Sequence, residues 1–144
     1  MVSFWDTSAV VPLLIREPAS RSADKVFAAT SRMVIWTFTP VEAFSAFCRL
    51  RRERRLSRDG LARSEERLDE LVAACAVVRE IDGVKRFARR LLRSHSIRAA
   101  DAMQLGAALC WSAGIPENRT VVVADGPLAD AAANEGFRVQ RIRP

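Results

Sequence analysis

Four acids in this chain sit where a solubilising charge has little reason to be. Asp101 interrupts the run Ile97 to Trp111, which otherwise reads as a nearly all-round apolar helix. Such a helix belongs in a core, where an ionised carboxylate is costly unless it is paired or bound to a metal. Asp6 ends the apolar run Val2–Trp5, Asp125 ends Val121–Ala124, and Glu42 opens the stretch that follows Met33–Trp36. Four carboxylates brought together without four matching cations would repel one another. A hard divalent cation with oxygen ligands, Mg²⁺ or Mn²⁺, resolves that repulsion while keeping some of its waters.

These acids need elements that position them. Short continuous apolar runs (Val2–Trp5, Met33–Trp36, Ala76–Ile81, Val121–Ala124, Phe137–Ile142) alternate with helical patterns throughout the chain. Non-alternating apolar strands separated by helices predict a parallel sheet covered on both faces, a three-layer α/β/α sandwich. Ser57 is expected to cap the helix that carries Leu61, Leu68 and Val72, and Ser96 the helix of Asp101. Pro18 is expected to open the second helix, and Pro12 to delay or kink the first. Without repeats or linkers, residues 1–144 are expected to form one domain. In open parallel sheets, ligands bind beyond the carboxyl ends of the strands where the strand order reverses. Asp6 and Asp125 belong on that edge, and Glu42 beside them. Asp101 is fixed only to the first turns of its helix.

Composition limits the function classes. The chain has 144 residues, 23 Lys and Arg against 17 Asp and Glu, a formal net charge of +6 and a pI near 10.5. That balance favours an acidic partner or a polyanionic substrate. Cys48, Cys75 and Cys110 are widely spaced and odd in number, with no CxxC pair to suggest zinc, so reduced thiols are expected. The N-terminus lacks a targeting pattern and no segment approaches a membrane span, so a cytoplasmic location is expected, with no membrane partner.

Each acid also has a purely structural reading. Asp6 can cap the helix after the first strand. Thr39-Pro40-Val41-Glu42 has the form of a capping box with proline at the first helical position. Asp125-Gly126 can be an ordinary turn, and Asp101 can pair with Arg98 three residues earlier. The functional reading rests on the coincidence of all four.

The chain resembles a PIN domain of the VapC toxin type over essentially its full length. The segments that carry the resemblance are Phe4–Ala9, Thr39–Ala43, Ile97–Leu105, Val121–Leu128 and Ala131–Val139. The resemblance implies a parallel-sheet sandwich, an acidic Mg²⁺ or Mn²⁺ site and ribonuclease activity, with Asp6, Glu42, Asp101 and Asp125 matching the four acidic positions. Asp6 and Asp101 are expected as direct ligands; Glu42 and Asp125 are expected to hold a weaker second metal or to orient the attacking water. The implied reaction is hydrolysis of an RNA phosphodiester. The resemblance also implies a cognate antitoxin and a homodimer, with exposed apolar parts of the first helices as the place for both contacts.

One departure stands out: Val123 occupies the place, two residues before the last Asp, where such domains frequently carry a Ser or Thr. Ser8 is expected to cap the first helix, with a bond to a ligand carboxylate as the other reading. Phosphate contacts are expected from Arg49 to Arg55, from the Lys85–Arg93 face and from Arg98. His95 is read as a surface residue, and Trp5, Trp36 and Trp111 as core. A haloacid-dehalogenase-like phosphatase would need an Asp-x-Asp pair after the first strand, and Thr7-Ser8 follows Asp6 instead. The remaining alternative is a PIN-like module that binds RNA or protein without catalysis.

Overall fold

The computed structural model describes residues 1–144. Its elements run β1 (Val2–Trp5), α1 (Thr7–Leu14), α2 (Ser20–Ala28), β2 (Arg32–Trp36), α3 (Thr39–Arg52) and α4 (Arg58–Ala74), then β3 (Ala76–Val78), α5 (Ile81–Ser94), α6 (Ala99–Trp111), β4 (Thr120–Val123), α7 (Gly126–Asn134) and β5 (Arg138–Arg141). All four strand pairings are parallel and the sheet order is β3-β2-β1-β4-β5. The chain moves outward from β1 through β2 to β3, then crosses back to place β4 on the other side of β1. The strand order therefore reverses between β1 and β4, as the expected sandwich requires.

The continuous apolar strands are buried on both faces, and successive residues alternate between them. Phe4, Val34, Trp36, Val121 and Val123 pack against α5, α6 and α7. Trp5, Met33, Ile35 and Val122 pack against α1 to α4. Trp5 and Trp36 are core residues as expected, and Trp111 packs at the margin of the first cluster.

Local signals were met in part. Ser57 caps α4, accepting from the Gly60 amide at 2.9 Å. Ser96 does not cap α6: the residue before that helix is Arg98, and no side chain caps it. α1 begins immediately after Asp6 and carries the buried Pro12 inside it. Pro18 lies in the turn ahead of α2, not at its first position. Val41, in the first turn of α3, is 67% exposed.

Closest helix packing occurs where α6 crosses α5. A Cβ built on Gly106 would lie 2.9 Å from the Val84 carbonyl oxygen and 3.3 Å from its Cγ1. The nearer atom is backbone and cannot swing away. Alanine is the better helix former by about 1 kcal/mol, yet Gly106→Ala is expected to destabilise the fold by about 1–3 kcal/mol through overpacking. A lowered thermal midpoint checks this; an unchanged or raised one would contradict the close approach.

Candidate acidic site at the sheet edge

Asp6 is the N-cap of α1, where the chain leaves β1, and its amide bonds the Val122 carbonyl of β4 at 3.0 Å. Asp125 is the N-cap of α7, directly beyond β4, and accepts from the Leu128 amide at 2.9 Å. These two acids flank the point where strand order reverses, the edge at which ligands collect in open parallel sheets. Glu42 stands in the first turn of α3 and Asp101 in the first turn of α6. All four line one cleft, together with Thr7, Ser8 and Arg49. A neighbouring cleft, lined by Ser96, Ile97, Arg98 and Pro127, shares Asp101 and Asp125 with it.

The competing structural readings fare unequally. Asp6 and Asp125 do cap helices, each through Oδ2, which leaves Oδ1 of both without a hydrogen bond. The capping-box reading of Glu42 fails: Thr39 is already helical, Phe38 precedes the helix with no side-chain cap, and the Glu42 carboxylate bonds Gln104 instead. The Arg98 pairing fails too, since the ion pairs of this chain leave all four site carboxylates without a Lys, Arg or His partner.

Burial is also distributed differently from expectation. Asp101 is only half-buried, whereas Asp6 is 5% exposed and is the deepest of the four. Burial pushes the Asp6 carboxyl up to about 6 from its ordinary 3.8; the Ser8 hydroxyl and amide oppose this, and the charges of Asp101 and Asp125 add to it. Glu42 is pushed up to about 7 from 4.5, first by burial and then by the charges of Asp6 and Asp101, against the Gln104 hydrogen bond. Asp101 is raised by burial and by Asp125, against the Arg98 amide and guanidinium. Burial is the first cause of all three shifts, and repulsion among the acids adds to it.

Ser8 does not cap α1, whose N-cap is Asp6; it lies inside the helix and instead bonds a site carboxylate, the other reading of it. Its hydroxyl donates to Asp6 Oδ2 and accepts from the amides of Ala124 at 2.9 Å and Asp125 at 3.2 Å. It thus ties the ends of β1 and β4 together. Val123 points into the core, fully buried. The hydroxyl at the end of β4 comes from the neighbouring strand's exit.

Gln104 was not singled out from the sequence, although it is the one polar residue in the apolar stretch Ala102–Leu109. It is 1% exposed, and its Nε2 lies 2.8 Å from Thr7 Oγ1, 3.0 Å from Thr39 Oγ1 and 2.9 Å from Glu42 Oε1. His95 departs from expectation as well: its side chain is 11% exposed and bonds Glu135 at 2.7 Å, away from the acids.

The donor set suits a hard cation: all four acids offer oxygen, Asp6 and Asp125 each keep one oxygen free of hydrogen bonds, and none of the four is in an ion pair. As the side chains stand, no three His, Cys, Asp or Glu residues are gathered closely enough to enclose an ion. The three cysteines are unpaired and far from such a role, and burial pushes the Cys75 thiol up to about 11.

The fold and this edge together define a class: parallel α/β/α sandwiches with carboxylates clustered at the sheet's switch point. Within it, the PIN domain model matches residues 3–132, and the chain belongs to the PIN domain family. Among solved structures it is similar to FitAcB from Neisseria gonorrhoeae, with 17% identity over 96% of each chain and a TM-score of 0.66. VapBC2 from Rickettsia felis, solved bound to a DNA fragment from their promoter, gives 13% identity over 99% of this chain and 100% of that one, with a TM-score of 0.66. PAE2754 from Pyrobaculum aerophilum is 22% identical over 97% and 89% of the two chains, with a TM-score of 0.60. At these identities the likeness is one of fold. No curated protein matches the sequence.

Proposed function

We propose that residues 1–144 form one PIN domain acting as a Mg²⁺- or Mn²⁺-dependent endoribonuclease, the VapC-type toxin of a toxin–antitoxin pair. The observation that carries this reading is the convergence of Asp6, Glu42, Asp101 and Asp125, from four separate segments, on one cleft at the switch point of the sheet. Asp6 and Asp101 would be the direct ligands; Glu42 and Asp125 would complete a second position or orient the attacking water. When bound, the metal supplies a lowered water pKa and stabilises charge on the phosphodiester. Arg49 lines the acid cleft and Arg98 the adjoining one, and neither is in an ion pair. They are placed to offset the charge of an RNA backbone on either side of the carboxylates, in keeping with the net charge of +6.

One structure similar to this chain is described as a toxin-antitoxin complex from Klebsiella pneumoniae, and others as VapBC2 from Rickettsia felis and VapBC-1 from nontypeable Haemophilus influenzae. That supports a cognate antitoxin as partner, and a homodimer fits the same reading. The contact surface would lie on the first helices, where Phe27 of α2 is exposed beside a cleft that Asp24, Arg67 and Glu70 also line. No helix is long and apolar enough to cross a membrane, and a cytoplasmic location follows from the proposed RNA target.

A second reading, a PIN-like module that binds RNA or protein without cleaving it, is favoured by one observation: the carboxylates are not gathered into a trio. Expression in a bacterial host separates the two. The chain expressed alone is expected to arrest growth and to leave new RNA 5′ ends within minutes, whereas Asp101→Asn is expected to do neither. Harmless wild-type expression, with no cleaved RNA, would favour the binding module.

A further inference from the structure

We propose that Gln104 is a positioning residue of the acidic centre, holding the Glu42 carboxylate in place together with the Thr7 and Thr39 hydroxyls. This rests on the nuclease reading above and assigns a task to a residue outside the four acids.

Gln104 is a buried polar group that packing does not need. It is 1% exposed on α6, and around it Ala102, Leu105, Ala108 and Leu109 are apolar and buried. A leucine or methionine of similar volume would fill the site as well. Its Oε1 is buried without a hydrogen-bond donor, so the carboxamide is not there to satisfy itself. What it gains is on the nitrogen side. Nε2 reaches Thr7, between Asp6 and Ser8, and both Thr39 and Glu42 at the start of α3, while its own helix carries Asp101 three residues earlier.

One amide thus touches or carries the segments of three of the four acids. The fourth, Asp125, is tied to the Asp6 segment by the Ser8 hydroxyl. Glu42 has no other side-chain hydrogen bond and no cation partner, so Gln104 is its only anchor. An amide nitrogen carries two hydrogens and faces three acceptors here, so its bonds are shared between the hydroxyls and the carboxylate. An unanchored glutamate on the first turn of a helix has three free torsions; one that must meet Asp6 and Asp101 at a fixed point does not.

The test uses Gln104→Leu, which removes the donor at similar volume, and Gln104→Glu, which keeps the shape. Mn²⁺ affinity is read by calorimetry, RNA cleavage as kcat and KM, and folding as the thermal midpoint. Outer-shell partners of metal ligands are worth about 10–100-fold in affinity or activity. Both variants are expected to bind Mn²⁺ and to turn over about 10–100-fold more weakly, with KM for RNA unchanged. In a Glu42→Ala background, Gln104→Leu is expected to have no further effect, because it acts through Glu42. A residue with only a structural role would lower the thermal midpoint while leaving affinity and kcat of the folded fraction intact. Should Gln104→Leu fail to fold, Gln104→Glu decides on the same readouts.

A wild-type chain that binds Mn²⁺ and cuts RNA, with the folded variants within about twofold of it, would overturn the Gln104 role alone, since the expected loss is tenfold or more. A wild-type chain that does neither would overturn the nuclease reading, and this inference with it.

Discussion

Asp101→Asn is expected to reduce metal-dependent RNA cleavage by at least about 100-fold, because loss of a direct ligand should exceed the 10–100-fold cost of losing an outer-shell partner. Asp101 is one of two residues shared by the acid cleft and its larger neighbour, so a substrate crossing between them meets it. The fold should survive the change. Asp101 is half-buried, has no ion pair, and is a carboxylate that burial and Asp125 hold above its ordinary range. A neutral isostere removes an unfavourable charge and leaves packing untouched. Single-turnover cleavage with Mn²⁺, beside a thermal midpoint equal to or above wild type, checks both halves. Full cleavage by the variant would remove Asp101 from the mechanism.

The second large effect is on stability. Without metal, the contribution of Asp6 and Glu42 to folding should be complete below pH 3.8, fall as pH rises, and be lost by about pH 7 or 8. Between the unfolded values of 3.8 and 4.5 and the folded values of about 6 and about 7, the folded chain holds protons that the unfolded chain has released. Raising pH there drains stability. For Asp6, held at about 6 against 3.8, the loss is on the order of 2–3 kcal/mol. Glu135 runs the opposite way: burial raises it, but Arg90 and His95 outweigh that and hold it below 4.5, so its contribution appears as pH rises. The difference between wild type and Asp6→Asn isolates the site. Wild type should lose stability relative to that variant from pH 4 to pH 8. At pH 7.5, a hundredfold excess of Mn²⁺ over its dissociation constant should return about 2.7 kcal/mol to wild type. Parallel pH profiles for the two proteins would contradict the uncompensated charge at this edge.

Much of this edge was legible in the sequence because strand ends and helix starts are local events. Asp6 and Asp125 follow apolar runs directly, and the parallel register carries both to the same side of the sheet. Asp101 drew attention as a charge in an apolar helix, yet the first turn of α6 is half-open and the deeply buried acid is Asp6. Periodicity does not say how far along a helix the core begins. The capping-box pattern at Thr39 misled for a related reason. Its residue types fit, but Thr39 is one position too far into the helix, and its hydroxyl turns to Gln104. Contacts across 62 to 117 residues, such as those of Gln104 and Ser8, leave no spacing signal at all. The polar residue in the apolar run Ala102–Leu109 was the one available sign of the first of them.

What the site offers is a wired set of carboxylates with too little positive charge. Ser8 joins the Asp6 and Asp125 segments, and Gln104 joins those of Asp6, Glu42 and Asp101. Two caps, two hubs and the sheet edge fix the backbone of every acid, while the side chains stand apart. Such an arrangement costs stability near neutral pH and has its clearest use when a divalent cation joins it.

Metal-dependent cleavage at the acidic edge is decided by a Mn²⁺ titration of the purified wild-type chain, followed at once by binding heat and by cleavage of a structured RNA. Cleavage is expected to rise with bound Mn²⁺, to stop on chelation and to return when the metal is restored. Cleavage that persists in excess chelator, or saturating Mn²⁺ binding with the RNA left whole, would contradict that expectation.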